Sequence, residues 1–205
     1  MILPIVNYGH PVLRQKGARV EAVTDELRQL VADMLQTMRA AHGVGLAAQQ
    51  VARALQLTVV DVRGVEDRPS TLEIDGEAVN PERHMPLVLI NPEIAPYGES
   101  VAGGEGCLSF PEICGEIVRP EGVAVRALDE AGQPFEFKCG GLLARAVLHE
   151  YDHLQGILFI DRMSHETKES LREELEALRA ATQAQLKRSE LAAQAVPSRA
   201  RAGAQ

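Results

Sequence analysis

The sequence has no tryptophan and few other aromatic residues, with three tyrosines and four phenylalanines in 205 residues. This scarcity disfavours the stacking platforms that bind single-stranded nucleic acid, and an aromatic cleft for carbohydrates. A formal net charge of −8 at pH 7 also disfavours nonspecific binding to nucleic acid through a basic face. We therefore expect no specific nucleic-acid partner.

Cysteine is also scarce, and Cys107, Cys114 and Cys139 form an odd set without the spacing of a disulfide framework. The N-terminal residues lack the basic segment and apolar core of a secretory signal. No apolar run reaches the length needed to span a membrane. These absences predict a cytoplasmic protein whose thiols are free or metal-bound.

The length of 205 residues indicates one domain with appendages, and 45% hydrophobic with 24% charged residues is typical of a globular protein. The pattern of apolar and turn-forming residues predicts four segments. These are a single domain over 1–164, a polar surface insertion within it at 64–86, an amphipathic C-terminal helix at 165–191 and a flexible tail at 192–205.

Within the predicted domain, hydrophobic periodicity indicates both helix and strands. Thr24 is a good N-cap, with acidic residues in the first turn and Gly43 to end the helix. The other predicted elements are strands at 57–62 and 87–90, the second ended by Asn91-Pro92, and a hairpin of 123–128 with 135–138.

A His-Glu-x-x-His stretch occupies residues 149–153, after an apolar-rich run. Residues four apart lie on one face of a helix, so His149 and His153 can reach the same metal ion while Glu150 borders it. The motif fixes only three positions, and two buried histidines in an ordinary helix would also produce it. It therefore needs support from elsewhere in the chain.

A catalytic metal usually has three protein ligands and one open position, so a third ligand is required. Downstream, His165, Glu166 and Glu169 begin the solvated C-terminal helix. Upstream, Cys107 lies in a glycine-punctuated stretch whose backbone can fix the geometry of a thiolate. We therefore predict Cys107 as the third ligand.

Three stretches together resemble the signature motifs of the peptide deformylases. They are Gly-Val-Gly-Leu-Ala-Ala-Gln at 43–49, Glu-Gly-Cys-Leu-Ser at 105–109 and His-Glu-Tyr-Asp-His at 149–153. An alignment of the first motif that ends at Gln50 also exists, but we take the match to end at Gln49. The resemblance extends from the N-terminal arm to about Asp161.

The resemblance implies an α+β fold in which antiparallel β-sheets surround a central metal-bearing helix, with a further helix towards each terminus. It also implies removal of the formyl group from the N-terminal methionine of newly made polypeptides, with release of formate. Ferrous iron is the metal that the family implies. Zn²⁺ suits a Cys-His-His set equally well by ligand softness, and Ni²⁺ or Co²⁺ are further alternatives.

The resemblance also assigns roles to single residues. Glu150 would accept a proton from the attacking water, whose pKa the metal lowers to about 7. The Gln49 side-chain amide and the Leu108 backbone N–H would join the metal in stabilising the oxyanion. Residues predicted to contact the substrate are Gly43, Val44, Gly45, Glu105 and Gly106.

Two other functions fit parts of the same pattern. An endopeptidase with this motif would need a long cleft rather than a pocket for one small acyl group. A binding module with a closed metal site would need a fourth ligand, which Cys114 or Cys139 would have to supply. As a partner beyond formylmethionyl nascent peptides, we expect a transient ribosome contact through the C-terminal helix.

Overall fold

A computed structural model describes residues 1–195 and has the predicted α+β fold, with an antiparallel sheet around a central helix. None of the helices in this part of the chain is long and apolar enough to cross a membrane. The helices are α1 Asp25–Ala40, α2 Gly141–Leu154, α3 His165–Ser170 and α4 Arg172–Ala195. The strands are β1 Gly45–Ala47, β2 Leu57–Val60, β3 Ser70–Ile74, β4 Glu77–Val79, β5 Leu87–Cys107, β6 Phe110–Leu128 and β7 Pro134–Gly140.

The strands form one sheet in the order β1-β2-β5-β6-β7-β3-β4, with every adjacent pair antiparallel. Strand β5 does not end at Asn91-Pro92, so the predicted strand over 87–90 was too short. The register shifts between Ile90 and Glu93 and again between Tyr97 and Ser100, which lets β5 pass its prolines and glycines while still paired with β6. The strand thereby reaches Cys107.

Two local predictions are confirmed. The Thr24 hydroxyl accepts a hydrogen bond from the Leu27 N–H at 3.3 Å, so α1 begins where its N-cap indicates. The predicted hairpin is formed by the end of β6 with β7, in a register that pairs Val125 with Phe137.

Helix α2 lies at the centre because its apolar positions are buried on several sides. Leu143 and Val147 pack into a cluster with side chains of β5, β6 and β7, while α1 covers β1 and β2 in a second cluster. A third cluster contains Phe110, Phe159 and Leu175, so α4 also packs on the domain. The central helix is thus held rigidly by the sheet around it.

The segment 64–86 contributes β3 and β4 to the sheet, since β3 pairs with β7 and buries Leu72. The predicted helix over 165–191 is divided into α3 and α4 at Leu171. Helix α4 continues to Ala195, which includes the start of the predicted tail, and residues 196–205 lie outside the described residues.

Asn91 joins the N-terminal arm to the sheet. Its side-chain oxygen accepts from the Val20 N–H and its amide donates to the Val20 carbonyl, each at 2.8 Å in a buried setting. Asn91 itself has φ of 52°, a left-handed conformation that asparagine tolerates better than most residues. One side chain therefore satisfies both backbone groups of Val20 and allows the chain to turn within β5.

We expect Asn91→Ala to lower the free energy of unfolding by about 2–4 kcal/mol, because two buried backbone groups lose their partners. Urea unfolding measures this change. Asn91→Gly removes the same side chain but relieves the left-handed backbone, so its loss should be smaller by about 1 kcal/mol. Equal unfolding midpoints for wild type and Asn91→Ala would contradict the assigned role of the side chain.

Candidate metal centre

Helix α2 and the end of β5 bring three metal-ligating side chains together. His149 and His153 lie one helical turn apart on α2, and Cys107 is the last residue of β5. The ligand atoms of the three residues all lie within 4.8 Å of one another, and the Cys107 Sγ is 3.3 Å from the His153 Nε2. The cluster therefore joins a local helical motif to a residue more than forty positions earlier in the chain.

The donor set fits a divalent transition metal. One sulfur and two imidazole nitrogens suit zinc or iron, and three protein ligands leave one coordination position open. Burial lowers the pKa of His153 well below its usual value of 6.5, which keeps the ring in the neutral form that binds metals. No fourth His, Cys, Asp or Glu joins the group among the residues that the structure describes.

The other two cysteines are placed elsewhere. Cys139 is buried in the apolar cluster beside α2, and this burial raises its pKa to about 12. Cys114 is exposed and pairs across the β5–β6 ladder with Gly106. These positions argue against the closed four-ligand site that a binding module would require.

Glu105 orients His149. Its Oε2 accepts from the His149 Nδ1 at 2.9 Å, so the Nε2 of that ring is left for the metal. Arg119 donates to both carboxylate oxygens at 2.6 and 2.9 Å, and Arg145 donates to Oε1 at 2.9 Å. Burial opposes ionisation of Glu105, but the hydrogen bonds from His149 and Arg119 lower its pKa from 4.5 to about 2.

Glu105 was predicted to contact the substrate, and its geometry gives it a different role. Both carboxylate oxygens are already used by His149 and the two arginines, and the side chain is buried. Sequence reasoning missed this role because Glu105 and His149 come together only through the pairing of β5 around α2. The carboxylate holds a metal ligand and is not available to a peptide.

Asp152 closes the same network on the other side. Its Oδ2 accepts from Arg119 at 2.8 Å. Both of its carboxylate oxygens accept from Arg162, each at 2.5 Å. Arg119 therefore bridges two carboxylates, one from β5 and one from α2, and is only 3% exposed. Removing one partner from such a buried pair typically costs about 3–5 kcal/mol, because the other charge is left unpaired.

Glu150 differs from Glu105 because it has few partners. Its side chain is buried, and its Oε2 makes no hydrogen bond to the described part of the chain. Burial raises its pKa from 4.5 to about 7, although the positive charge of nearby Arg119 opposes the increase. A Cβ on Gly45 would overlap this carboxylate, so a larger residue at that position would displace it.

The glutamine at the site is Gln50, whereas the sequence prediction chose Gln49. The Gln50 Nε2 lies 3.5 Å from the Cys107 Sγ and 3.4 Å from the Ser109 Oγ, and its Oε1 accepts from the Ala47 N–H. Gln49 points away towards Gly17 and does not line the cavity. The reason is the 3₁₀ turn Ala48–Val51, in which adjacent side chains point in different directions.

A cavity of about 460 Å³ opens over the cluster. Val44, Leu142 and Ala146 supply apolar walls, and Leu108 follows Cys107 in the turn between β5 and β6. The predicted contact residues Gly43, Val44, Gly45 and Gly106 all line it, together with Glu105, Cys107, His149, Glu150 and Gln50.

Arg145 lies at the edge of the cavity without directing its charge into it. Its guanidinium donates to the carbonyls of Val101 at 2.8 Å and Ile117 at 2.9 Å, in addition to Glu105. A Cβ on Gly103 would lie 2.9 Å from the Arg145 Nη2, so glycine leaves the space that this side chain occupies. The cavity is therefore bounded here by the apolar stem of the arginine.

The sequence profile of the polypeptide deformylase family matches residues 2–169. The chain is 47% identical over 179 residues to a peptide deformylase of Methylacidiphilum infernorum, covering 87% of this chain and 94% of that protein. It is 46% identical over 189 residues to that of Opitutus terrae, covering 91% and 98%.

Solved structures give the same result. A peptide deformylase of Legionella pneumophila superposes with a TM-score of 0.74 at 35% identity, covering 88% of this chain and 97% of that one. A peptide deformylase of Synechococcus elongatus, solved with actinonin, gives 0.70 at 41% identity, covering 86% and 85%.

The orienting role of Glu105 leads to a test on metal binding. We expect Glu105→Gln to weaken the affinity for Zn²⁺ by about 10–100-fold, the usual loss when a partner of a ligating histidine is removed. Chelator competition on the purified protein measures this affinity.

Glu116→Gln is the matched control, because Glu116 is an exposed carboxylate on β6 and its replacement makes the same change in charge. It should bind Zn²⁺ like wild type. Wild-type affinity in Glu105→Gln would show that His149 is oriented by packing alone.

Proposed function

The chain belongs to the polypeptide deformylase family, and we propose that it removes the N-terminal formyl group of newly made polypeptides by hydrolysis. The products are formate and a free amino terminus on methionine. The observation that carries the proposal is the meeting of Cys107, His149 and His153 beside a buried Glu150 with a free carboxylate oxygen. This arrangement has the parts that metal-assisted hydrolysis requires.

Cys107, His149 and His153 would hold one divalent metal ion, and the family is metal-dependent. When bound, such an ion supplies Lewis acidity, which polarises a carbonyl and lowers the pKa of water to about 7. We propose ferrous iron as the physiological metal, with Zn²⁺, Ni²⁺ or Co²⁺ able to replace it in purified protein. Metal analysis after anaerobic purification would contradict this assignment if iron were absent from active protein.

Glu150 is the proton carrier in this proposal. Its carboxylate borders the cluster without being one of the three ligands, and a pKa of about 7 suits a group that both accepts and donates a proton. It would take the proton of the attacking water and then deliver it to the departing amine nitrogen. Burial keeps this carboxylate away from bulk water, which would otherwise return its pKa towards 4.5.

Attack on the formyl carbon places negative charge on the formyl oxygen, which needs hydrogen-bond donors already in place. We propose the Gln50 side-chain amide and the Leu108 backbone N–H as these donors. Gln50 is supported by its position beside Cys107 and by the Ala47 N–H, which fixes its carbonyl and so directs its amide group inward. Gln50 therefore takes the place of Gln49 as the proposed side-chain donor to the oxyanion.

The substrate would lie along β1. This strand is at the edge of the sheet and, among residues 1–195, pairs with β2 alone, so its other side can bind an extended peptide as an added strand. Gly43 and Val44, which precede β1, line the cavity together with Gly45 and Gly106. A cavity of about 460 Å³ with largely apolar walls can hold one methionine side chain, whereas an endopeptidase would need a long cleft.

We further propose that the protein acts in the cytoplasm, where Cys107 and Cys114 would stay reduced. A transient ribosome contact through α4 remains a prediction. Cosedimentation with ribosomes that is unchanged by deletion of residues after Arg162 would contradict it.

The purified metal-loaded protein should release formate from formyl-Met-Ala-Ser and leave the unblocked peptide uncut. Formate production and peptide mass spectrometry measure the two outcomes.

Glu150→Gln should retain the metal while its turnover falls at least about 10²-fold, since general acid–base catalysis contributes about 10²–10⁴-fold. Cleavage of internal peptide bonds, or near-normal formate release by Glu150→Gln, would contradict the proposed reaction or its proton carrier.

Gln50→Ala should lower kcat by about 10²–10³-fold, the usual cost of losing one oxyanion donor, while metal content is retained. Steady-state kinetics with formyl-Met-Ala-Ser and metal analysis separate the two effects. A rise in KM with kcat unchanged would instead assign Gln50 to substrate binding.

A further inference from the structure

Gln49 is a buried residue without an assigned role. It is completely buried, and neither its Oε1 nor its Nε2 has a hydrogen-bond partner in the described part of the chain. His153 presents a second such atom, because its Nδ1 is also buried and unpartnered there. An unsatisfied buried polar group costs about 1–3 kcal/mol, so a pair of such residues requires an explanation.

Gly17 lies beside Gln49 and is hydrogen-bonded to the residue that follows His153. The Gly17 N–H donates to the carbonyl of Leu154, the residue after His153, at 2.9 Å. A Cβ on Gly17 would lie 2.9 Å from the Gln49 Nε2. The 3₁₀ turn that carries Gln49 also packs against α2. The Gln49 amide therefore lies beside the last turn of the metal-bearing helix.

The chemistry of a ligating histidine specifies what is needed at Nδ1. The His153 Nε2 faces the Cys107 Sγ, so Nε2 is the ligand atom and the neutral ring must carry its hydrogen on Nδ1. Ligating histidines almost always donate this second N–H to a carboxylate, a carbonyl or a water. His149 has Glu105 for this purpose, whereas His153 needs another acceptor.

The neighbouring carboxylate is already engaged by two arginines. Asp152 adjoins His153 in the sequence, but its oxygens already accept from Arg119 and Arg162. Among the buried side chains of the described residues, the acceptor atoms without a partner are Gln49 Oε1 and Glu150 Oε2, and Glu150 belongs to the cavity.

We propose that Gln49 is a positioning residue for His153, whose Nδ1–H donates through one buried water to the Gln49 Oε1. The water would gain two polar partners in a buried setting, within the range of about two to four that ordered internal waters have. The hydrogen bond would fix the ring in the tautomer that presents Nε2 to the metal. The two ligand histidines would then differ, one held by a carboxylate and the other by a neutral amide. This inference rests on the metal site of the proposed function.

The test compares Gln49→Leu with Gln56→Leu. Gln56 is a buried glutamine that joins Gly17 to the end of α2. It donates to the carbonyls of Gly17 at 3.0 Å and Leu154 at 2.9 Å. Replacing it by leucine weakens the contact between Gly17 and the end of α2 without removing an acceptor for His153. We expect Gln49→Leu to bind Zn²⁺ about 10–100-fold more weakly in chelator competition, while the Gln56→Leu variant retains wild-type affinity.

Nitrogen-15 spectra of histidine in the zinc-loaded protein provide the second readout. In wild type and Gln56→Leu, the His153 Nδ1–H should give a signal protected from exchange with water, and Gln49→Leu should lose this protection. Unchanged zinc affinity together with an unchanged Nδ1–H signal in Gln49→Leu would overturn the proposal. A general packing defect would instead weaken both leucine variants alike, which also overturns it.

Gln49→Glu tests the proposal if the leucine variant does not fold. A carboxylate is a stronger acceptor than an amide, so the Gln49→Glu variant should bind Zn²⁺ more tightly than wild type. Unchanged or weaker binding by this variant would overturn the role of the side chain at position 49. None of these measurements uses formyl peptides. The proposed function is tested separately by formate release from the wild-type protein, so either proposal can fail while the other stands.

Discussion

The buried Glu105 carboxylate is the interaction on which the site depends. It connects three elements, because Glu105 lies on β5, Arg119 on β6, and Arg145 and His149 on α2. An isolated carboxylate at this depth would be very unfavourable, and two arginines and an imidazole offset that cost. The same bonds that allow the charge to be buried also fix the His149 ring. Folding stability and ligand geometry therefore come from one set of contacts.

Two glutamates near the cluster illustrate how partners determine the role of a carboxylate. Glu105 has cationic partners at both oxygens and a pKa of about 2, so it remains charged at any physiological pH. Glu150 is equally inaccessible but retains an unpartnered oxygen, and burial raises its pKa to about 7. The first can only hold a neighbouring group, whereas the second can exchange a proton. Differences in environment of this kind separate acid–base groups from structural ones.

The sequence predicted the parts of the site that depend on local periodicity. The spacing of His149 and His153 follows from one helical turn, and α1 begins at a residue with a clear capping signal. Gln49 was misassigned because adjacent positions in a 3₁₀ turn point in different directions, which no hydrophobic pattern reports. The continuation of β5 past Asn91-Pro92 was missed for a different reason. Its bulges are stable only because β6 pairs with it along the whole length, and that pairing is not local.

Two departures from ordinary folding rules lie around the cluster. Glycine at position 45 weakens a strand, but a larger residue would collide with Glu150. Charged side chains are buried in the network of Glu105, Arg119 and Asp152, where apolar residues would pack at lower cost. Gly45 leaves the space that the Glu150 carboxylate occupies, and Arg119 is paired with both Glu105 and Asp152. Such local conflicts are expected where a fold must present reactive groups, and here both involve a carboxylate of α2, Glu150 in one case and Asp152 in the other. The central helix is therefore surrounded by the sheet for two reasons, because the surrounding strands bury its apolar faces and also supply the groups that orient its histidines.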